Sequence, residues 1–235
     1  MTPSFATGIA AGAGLAPGPA LHIPDGFVSA PVAAAGWVAT VAVVALSVRV
    51  ANRRLEERAV PLMGVMAAFI FAAQMMNFPV AGGTSGHLLG GALAVVLLGP
   101  WAAIVVMTAV VGLQALLFQD GGLAALGANV LNMGIVTIAV GWAVYRIPRL
   151  VARDSRPVLL GAAFVAGWIS VEAGAIATAF MLALSGTSPL NVVLPAMVGV
   201  HALIGIGEGL ITAAAIAFVL STRPDLIPGA APTRA

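Results

Sequence analysis

The chain has 235 residues, 61% hydrophobic and only 8% charged, with ten basic against eight acidic residues and a mean hydropathy of +1.09. A soluble domain needs about 25% charged residues to face water, so this composition excludes one and suits helices facing lipid. Every positive charge is an arginine and there is no cysteine, which excludes disulfides and thiolate sites and leaves His, carboxylate, Met or backbone nitrogen for any transition metal.

Residues 1–20 are small, apolar and rich in Pro and Gly. They lack the basic start of a good signal peptide, although Pro19-Ala20 is an acceptable small-residue cleavage site. Cleavage there, or translation starting at Leu21, gives the same product, in which His22 is the second residue. An uncleaved tail is the plainer alternative. Seven apolar runs follow, at roughly 31–51, 61–76, 87–99, 101–118, 128–147, 157–184 and 192–221. The sequence therefore predicts an all-α integral membrane protein of about seven transmembrane helices over 21–222, followed by a short tail at 223–235. The third run is short: as a helix it rises about 20 Å against a hydrocarbon core of about 30 Å. Because it runs into Gly99-Pro100, it is expected to form a hairpin with the fourth.

Arg49, Arg53, Arg54 and Arg58 join runs one and two. Arg146, Arg149, Arg153 and Arg156 join runs five and six, and Arg223 and Arg234 follow the last. With seven spans, all ten fall on the cytoplasmic side together with the C-terminus, and the N-terminus lies outside. The calculated pI of 10.4 thus reflects topology rather than nucleic-acid binding. The opposite loops, 77–86, 119–127 and 185–191, carry no arginine and are rich in turn-forming residues. The nine methionines read as packing residues. Small residues such as Gly64, Gly167, Gly205 and Gly209 permit close helix approach in lipid. The glycines around Glu208 lie inside a span with no strand before them, which argues against a nucleotide fingerprint, and no P-loop pattern occurs.

The three histidines, His22, His87 and His201, all fall in the outer half. Imidazole is the commonest metal ligand, and ligands converge from separate elements. Glu172 and Glu208 lie inside spans, where a carboxylate is costly and should face the bundle interior; ion passage, subunit coupling and a plain structural role are all open to them. Gln74, Asn77, Gln114, Asn129 and Asn132 read as hydrogen-bonding residues between helices. If the chain begins at Leu21, the terminal amine, the deprotonated amide nitrogen of His22 and its imidazole can chelate one ion. A further imidazole completes four nitrogens in a plane. Such donors favour Ni(II) or Cu(II), with Co(II) also suited, and serve Mg(II) or Ca(II) poorly.

The motifs His22-Ile23-Pro24-Asp25-Gly26-Phe27 and Asn77-Phe78-Pro79-Val80-Ala81-Gly82-Gly83-Thr84-Ser85-Gly86-His87-Leu88-Leu89-Gly90-Gly91 resemble the CbiM/NikM family. Leu98-Gly99-Pro100-Trp101 and His201-Ala202-Leu203-Ile204-Gly205 extend the resemblance from Leu21 to about Thr222. That family comprises the substrate-binding membrane subunits of energy-coupling-factor importers for cobalt and nickel. The resemblance implies a seven-helix bundle in the inner (plasma) membrane and a metal site at Leu21, His22 and His87. Asn77, Thr84 and Ser85 would hold the His87 loop, and His201 would be an outer or alternative ligand. It implies Ni2+ or Co2+ as the transported ion and no resident cofactor. The implied partners are a transmembrane coupling subunit, cytoplasmic ABC-type ATPase subunits and a small accessory membrane subunit. Family members present Met-His-Ile at the mature terminus, where this chain has Leu-His-Ile behind twenty further residues. A self-sufficient secondary transporter or channel, coupled to protons through Glu172 or Glu208, is the competing reading. An intramembrane enzyme ranks last, since no H-E-x-x-H pattern occurs.

Overall fold

In a computed structural model, residues 22–55, 57, 59–79, 85–151 and 155–227 are described. Residues 1–20, Leu21, Thr84, Arg58, Arg153 and Arg234 lie outside them. Helix α1 (Ala30–Arg54) has proline in its first turn, where a missing N–H costs nothing, and Arg53 and Arg54 against its negative C-terminal end. Helix α2 (Ala59–Gln74) leads into two three-residue antiparallel strands, β1 (Asn77–Pro79) and β2 (Ser85–His87). Helix α3 (Gly91–Phe118) is broken at Gly99. Helix α4 starts as Leu126–Val130, widens into a π turn over Leu131–Val136 and continues as Thr137–Val151. Helices α5 (Arg156–Leu184) and α6 (Leu190–Thr222) complete the bundle.

Five helical stretches are long and apolar enough to cross a bilayer, and α2 is a shorter apolar helix. The 25 residues of α1 rise about 37 Å, more than the hydrocarbon thickness. Val38, Val41, Leu116, Leu117, Leu203, Leu210 and Phe218 are exposed, as lipid-facing side chains should be. The chain is a multi-pass membrane protein. Its core gathers Ile70, Val95, Val96, Met107, Val111, Ile138, Tyr145 and Ile216 around α3.

Small residues set the crossings. A Cβ on Gly167 of α5 would stand 2.9 Å from Gly209 Cα, and one on Gly209 would stand 2.7 Å from Phe164 O. This is the most extensively packed helix pair. At the α1–α4 crossing, a Cβ on Gly36 would stand 2.9 Å from the Ala128 nitrogen. In lipid such backbone approach is what holds helices together.

The structure amends two expectations. Among the described residues there are six helices rather than seven separate ones, because the third and fourth apolar runs share α3. Residues 87–90, expected to open a span, instead end β2 and lead to a cap at Gly90 with φ 78°. The small β1–β2 hairpin is also an addition to an all-helical expectation. Within α3 the only interruption is Gly99, whose φ of 73° and ψ of 168° no helix accommodates. Gly91 lies against Thr137 and Met133 of α4, and Met107, sixteen residues on, lies beside Gly134 in the same stretch. A straight helix would separate Gly91 and Met107 by about 24 Å, so the chain turns back between them.

Candidate metal site

The segment ahead of α1 is seated by the loop between α3 and α4. The Asp25 carboxylate accepts the N–H groups of Leu123 (3.1 Å) and Ala125 (3.0 Å). Asn129 pairs with the backbone of Ile23, accepting its N–H at 3.0 Å and donating to its carbonyl at 3.0 Å. Gly122 N–H also donates to Ile23 O at 3.0 Å. Glycine is required at 121 twice over: its φ is +90°, and a Cβ there would stand 2.8 Å from His22 Cβ. On the far side, the Thr187 hydroxyl donates to Phe27 O, bringing in the α5–α6 turn.

These contacts place His22 against Asp120. The His22 amide N–H donates to Asp120 Oδ1 at 3.2 Å, and His22 Nδ1 lies 3.2 Å from Asp120 O. A carbonyl oxygen can only accept, so Nδ1 carries the proton and the lone pair is on Nε2. Nε2 is buried and has no hydrogen-bond partner among the described residues. Burial first, then the neighbouring charge of His87, lowers the His22 imidazole to about 4, against opposing contributions from Asp120. The ring is neutral at physiological pH, as a ligand must be.

His87 arrives from the other side. It ends β2, paired with Asn77, and its Nδ1 donates to Leu88 O at 2.8 Å, which again leaves the lone pair on Nε2. The next two residues are fixed by side chains from two helices. Glu208 Oε2 and Oε1 accept the N–H groups of Leu89 (2.9 Å) and Gly90 (2.7 Å), and Gln74 donates to Leu89 O at 2.7 Å. His22 and His87 thus meet edge to face, ring centroids 5.2 Å apart at 68°, both buried. An adjoining cavity of about 90 Å³ is lined by His22, His87, Asn132, Met133, Thr178 and His201.

Of the residues singled out in the sequence, His22 and His87 come together. His201 lines the cavity, its Nδ1 donating to Met197 O at 2.7 Å. Asn77 and Ser85 contribute their backbones to the hairpin, and Leu21 and Thr84 fall outside the described residues. Glu208 is engaged with backbone N–H groups, while both oxygens of Glu172 in α5 lack a partner among the described residues. Asp120 was missed. Its signal was available: it is the lone acid of the loop 119–127, directly before Gly121-Gly122.

The model of the family described as the cobalt uptake substrate-specific transmembrane region, CbiM, matches residues 22–226. The chain belongs to the CbiM family. It is 42% identical over 209 residues to a putative metal transport protein of Haloquadratum walsbyi, covering 88% of this chain and 93% of that one. It is 43% identical to a putative fused nickel transport protein NikMN of Archaeoglobus fulgidus, covering 88% and 68%. The cobalt transport protein CbiM of Sorangium cellulosum is 36% identical over 88% and 94%. Among solved structures, a truncated transition metal transporter superposes with a TM-score of 0.77 at 34% identity, covering 85% of this chain and 98% of that one. The CbiM match begins at His22 and includes both imidazoles that meet in the site.

Proposed function

We propose that this CbiM-family chain is the substrate-capturing membrane subunit of an ATP-driven importer, binding Ni(II) or Co(II) at His22 and His87. The observation that carries the reading is the meeting of two buried, backbone-anchored imidazoles at 5.2 Å, in a family described by cobalt uptake. With a free amine at Leu21, the amine, the His22 amide nitrogen, the His22 imidazole and His87 Nε2 make up a four-nitrogen set. Such a set matches the preference of Ni(II) for planar nitrogen ligation. Chelation through His22 Nδ1 and its amide requires both groups to leave Asp120, so binding exchanges those contacts for the ion.

On this reading residues 1–20 are absent from the working protein. The reversal inside α3 supports counting 91–98 and 100–118 as the third and fourth of seven spans. The site then opens outward and the arginine-bearing ends lie in the cytoplasm, with the protein in the inner membrane. The ATPase and transmembrane coupling subunits would reorient it for release. Secondary transport would have to run through Glu172, since Glu208 is committed to Leu89 and Gly90.

The test is Ni(II) and Co(II) titration, with N-terminal sequencing, of protein made in its native host. Tight binding that disappears in His22→Ala and in His87→Ala is expected. Tight binding with residues 1–20 still attached overturns the terminal chelate, and uptake by this chain alone overturns the importer reading.

A further inference from the structure

Glu208 is a carboxylate within a membrane-spanning helix, 3% exposed, and both of its oxygens are spent on consecutive backbone N–H groups 118 and 119 residues away in sequence. Those N–H groups belong to Gly90, the cap of α3, and to Leu89 just before it, beside the positive dipole end of the helix. The carbonyl of Leu89 is taken by Gln74 of α2. Gly90 fits its left-handed turn only because a hydrogen replaces a Cβ that would stand 2.8 Å from Ile70. Leu89 is therefore held at both its N–H and its carbonyl, one peptide beyond the Leu88 carbonyl that fixes the His87 ring at 2.8 Å.

We propose that Glu208 and Gln74 are positioning residues for metal capture: from α6 and α2 they clamp Leu89–Gly90 and thereby aim His87 at His22. The inference rests on the metal-site reading above and gives Glu208 a role in it. His22 is held from a different quarter, by the α3–α4 loop and Asn129. A displacement of α6 against α4 therefore moves one imidazole away from the other, so the clamp ties the position of α6 to the geometry around the ion.

The experiment is Glu208→Gln in protein from the native host, compared with wild type, His22→Ala and His87→Ala by Ni(II) titration and by the visible band of bound Ni(II). Gln offers one oxygen and one NH2 group, so one of the two backbone N–H groups then faces a donor. Ni(II) affinity should fall about 10–100-fold, as is typical when a group supporting a ligand is lost. The band should shift, because the three nitrogens of the chain terminus remain while His87 leaves the plane. If Glu208→Gln binds with wild-type affinity and an unchanged band while His22→Ala and His87→Ala lose binding, the clamp is overturned and the metal site stands. If the histidine variants themselves bind as wild type, the metal-site reading fails instead. Should Glu208→Gln not yield monodisperse protein, Gln74→Leu decides, since it releases Leu89 O from the other side. An affinity loss with a shifted band supports the clamp, and wild-type behaviour overturns it.

Discussion

Asn129→Leu tests whether the segment carrying His22 is ordered by its own hydrogen bonds. The substitution keeps the branched side-chain skeleton, with two methyl groups in place of the amide oxygen and nitrogen, and deletes the two 3.0 Å bonds to Ile23. Ile23 O keeps Gly122 N–H as a donor, so that side forfeits only the net value of one bond, about 1 kcal/mol. Ile23 N–H loses its acceptor in a part-buried setting, at about 1–2 kcal/mol. Together the ordered segment is destabilised by about 2–3 kcal/mol, or roughly 30- to 140-fold at 1.4 kcal/mol per decade. Ligand affinity scales with the fraction of protein in the competent state. Asp25 and Asp120 still hold the segment, so part of this loss is absorbed, and Ni(II) affinity should weaken by about ten-fold or more. Competition against a chromophoric Ni(II) chelator in detergent measures it. An affinity within about two-fold of wild type would refute the reasoning, because the segment would then be ordered without Asn129.

Gly121→Val should abolish Ni(II) binding while leaving α-helical circular dichroism intact, since a side chain at φ +90° and 2.8 Å from His22 Cβ displaces the ligand and not the bundle. In metal-free protein the His22 ring should titrate near 4 rather than 6.5, which a histidine ring-proton NMR titration reads directly. Because the unfolded chain binds that proton first, the His22 contribution to stability is intact above about pH 6.5 and is lost as pH falls towards 4. A thermal midpoint that drops over that window in wild type, and drops less in His22→Ala, is the expected result.

The membrane class and most helix limits were readable because apolar runs and arginine placement report directly on solvent. The pairing of His22 with His87 was readable only through the resemblance of their two motifs to the CbiM/NikM family; the residues by themselves placed all three histidines in one half of the chain's spans without choosing a pair. Other features leave weaker traces. Hydropathy does not distinguish residues that open a helix from residues held extended at its mouth, so 87–90 read as span when they form the end of a strand and a cap. Glu208 was visible as a costly carboxylate, but its partners are backbone N–H groups, which carry no side-chain signature. Asp120 sat among turn formers and read as one of them, although its carboxylate and carbonyl both engage His22.

The π turn at Leu131–Val136 divides α4 into two ends with separate obligations. An extra residue in a turn advances everything beyond it by about 100° relative to an uninterrupted α-helix. The end that begins at Leu126 can therefore present Asn129 to Ile23, while the end beyond Val136 keeps Ile138 and Tyr145 in the core. Were the helix regular, one of these faces would have to be surrendered to the other. The wide turn acts as a phase shifter, allowing the part of α4 that grips the His22 segment to be aimed independently of the part that builds the bundle.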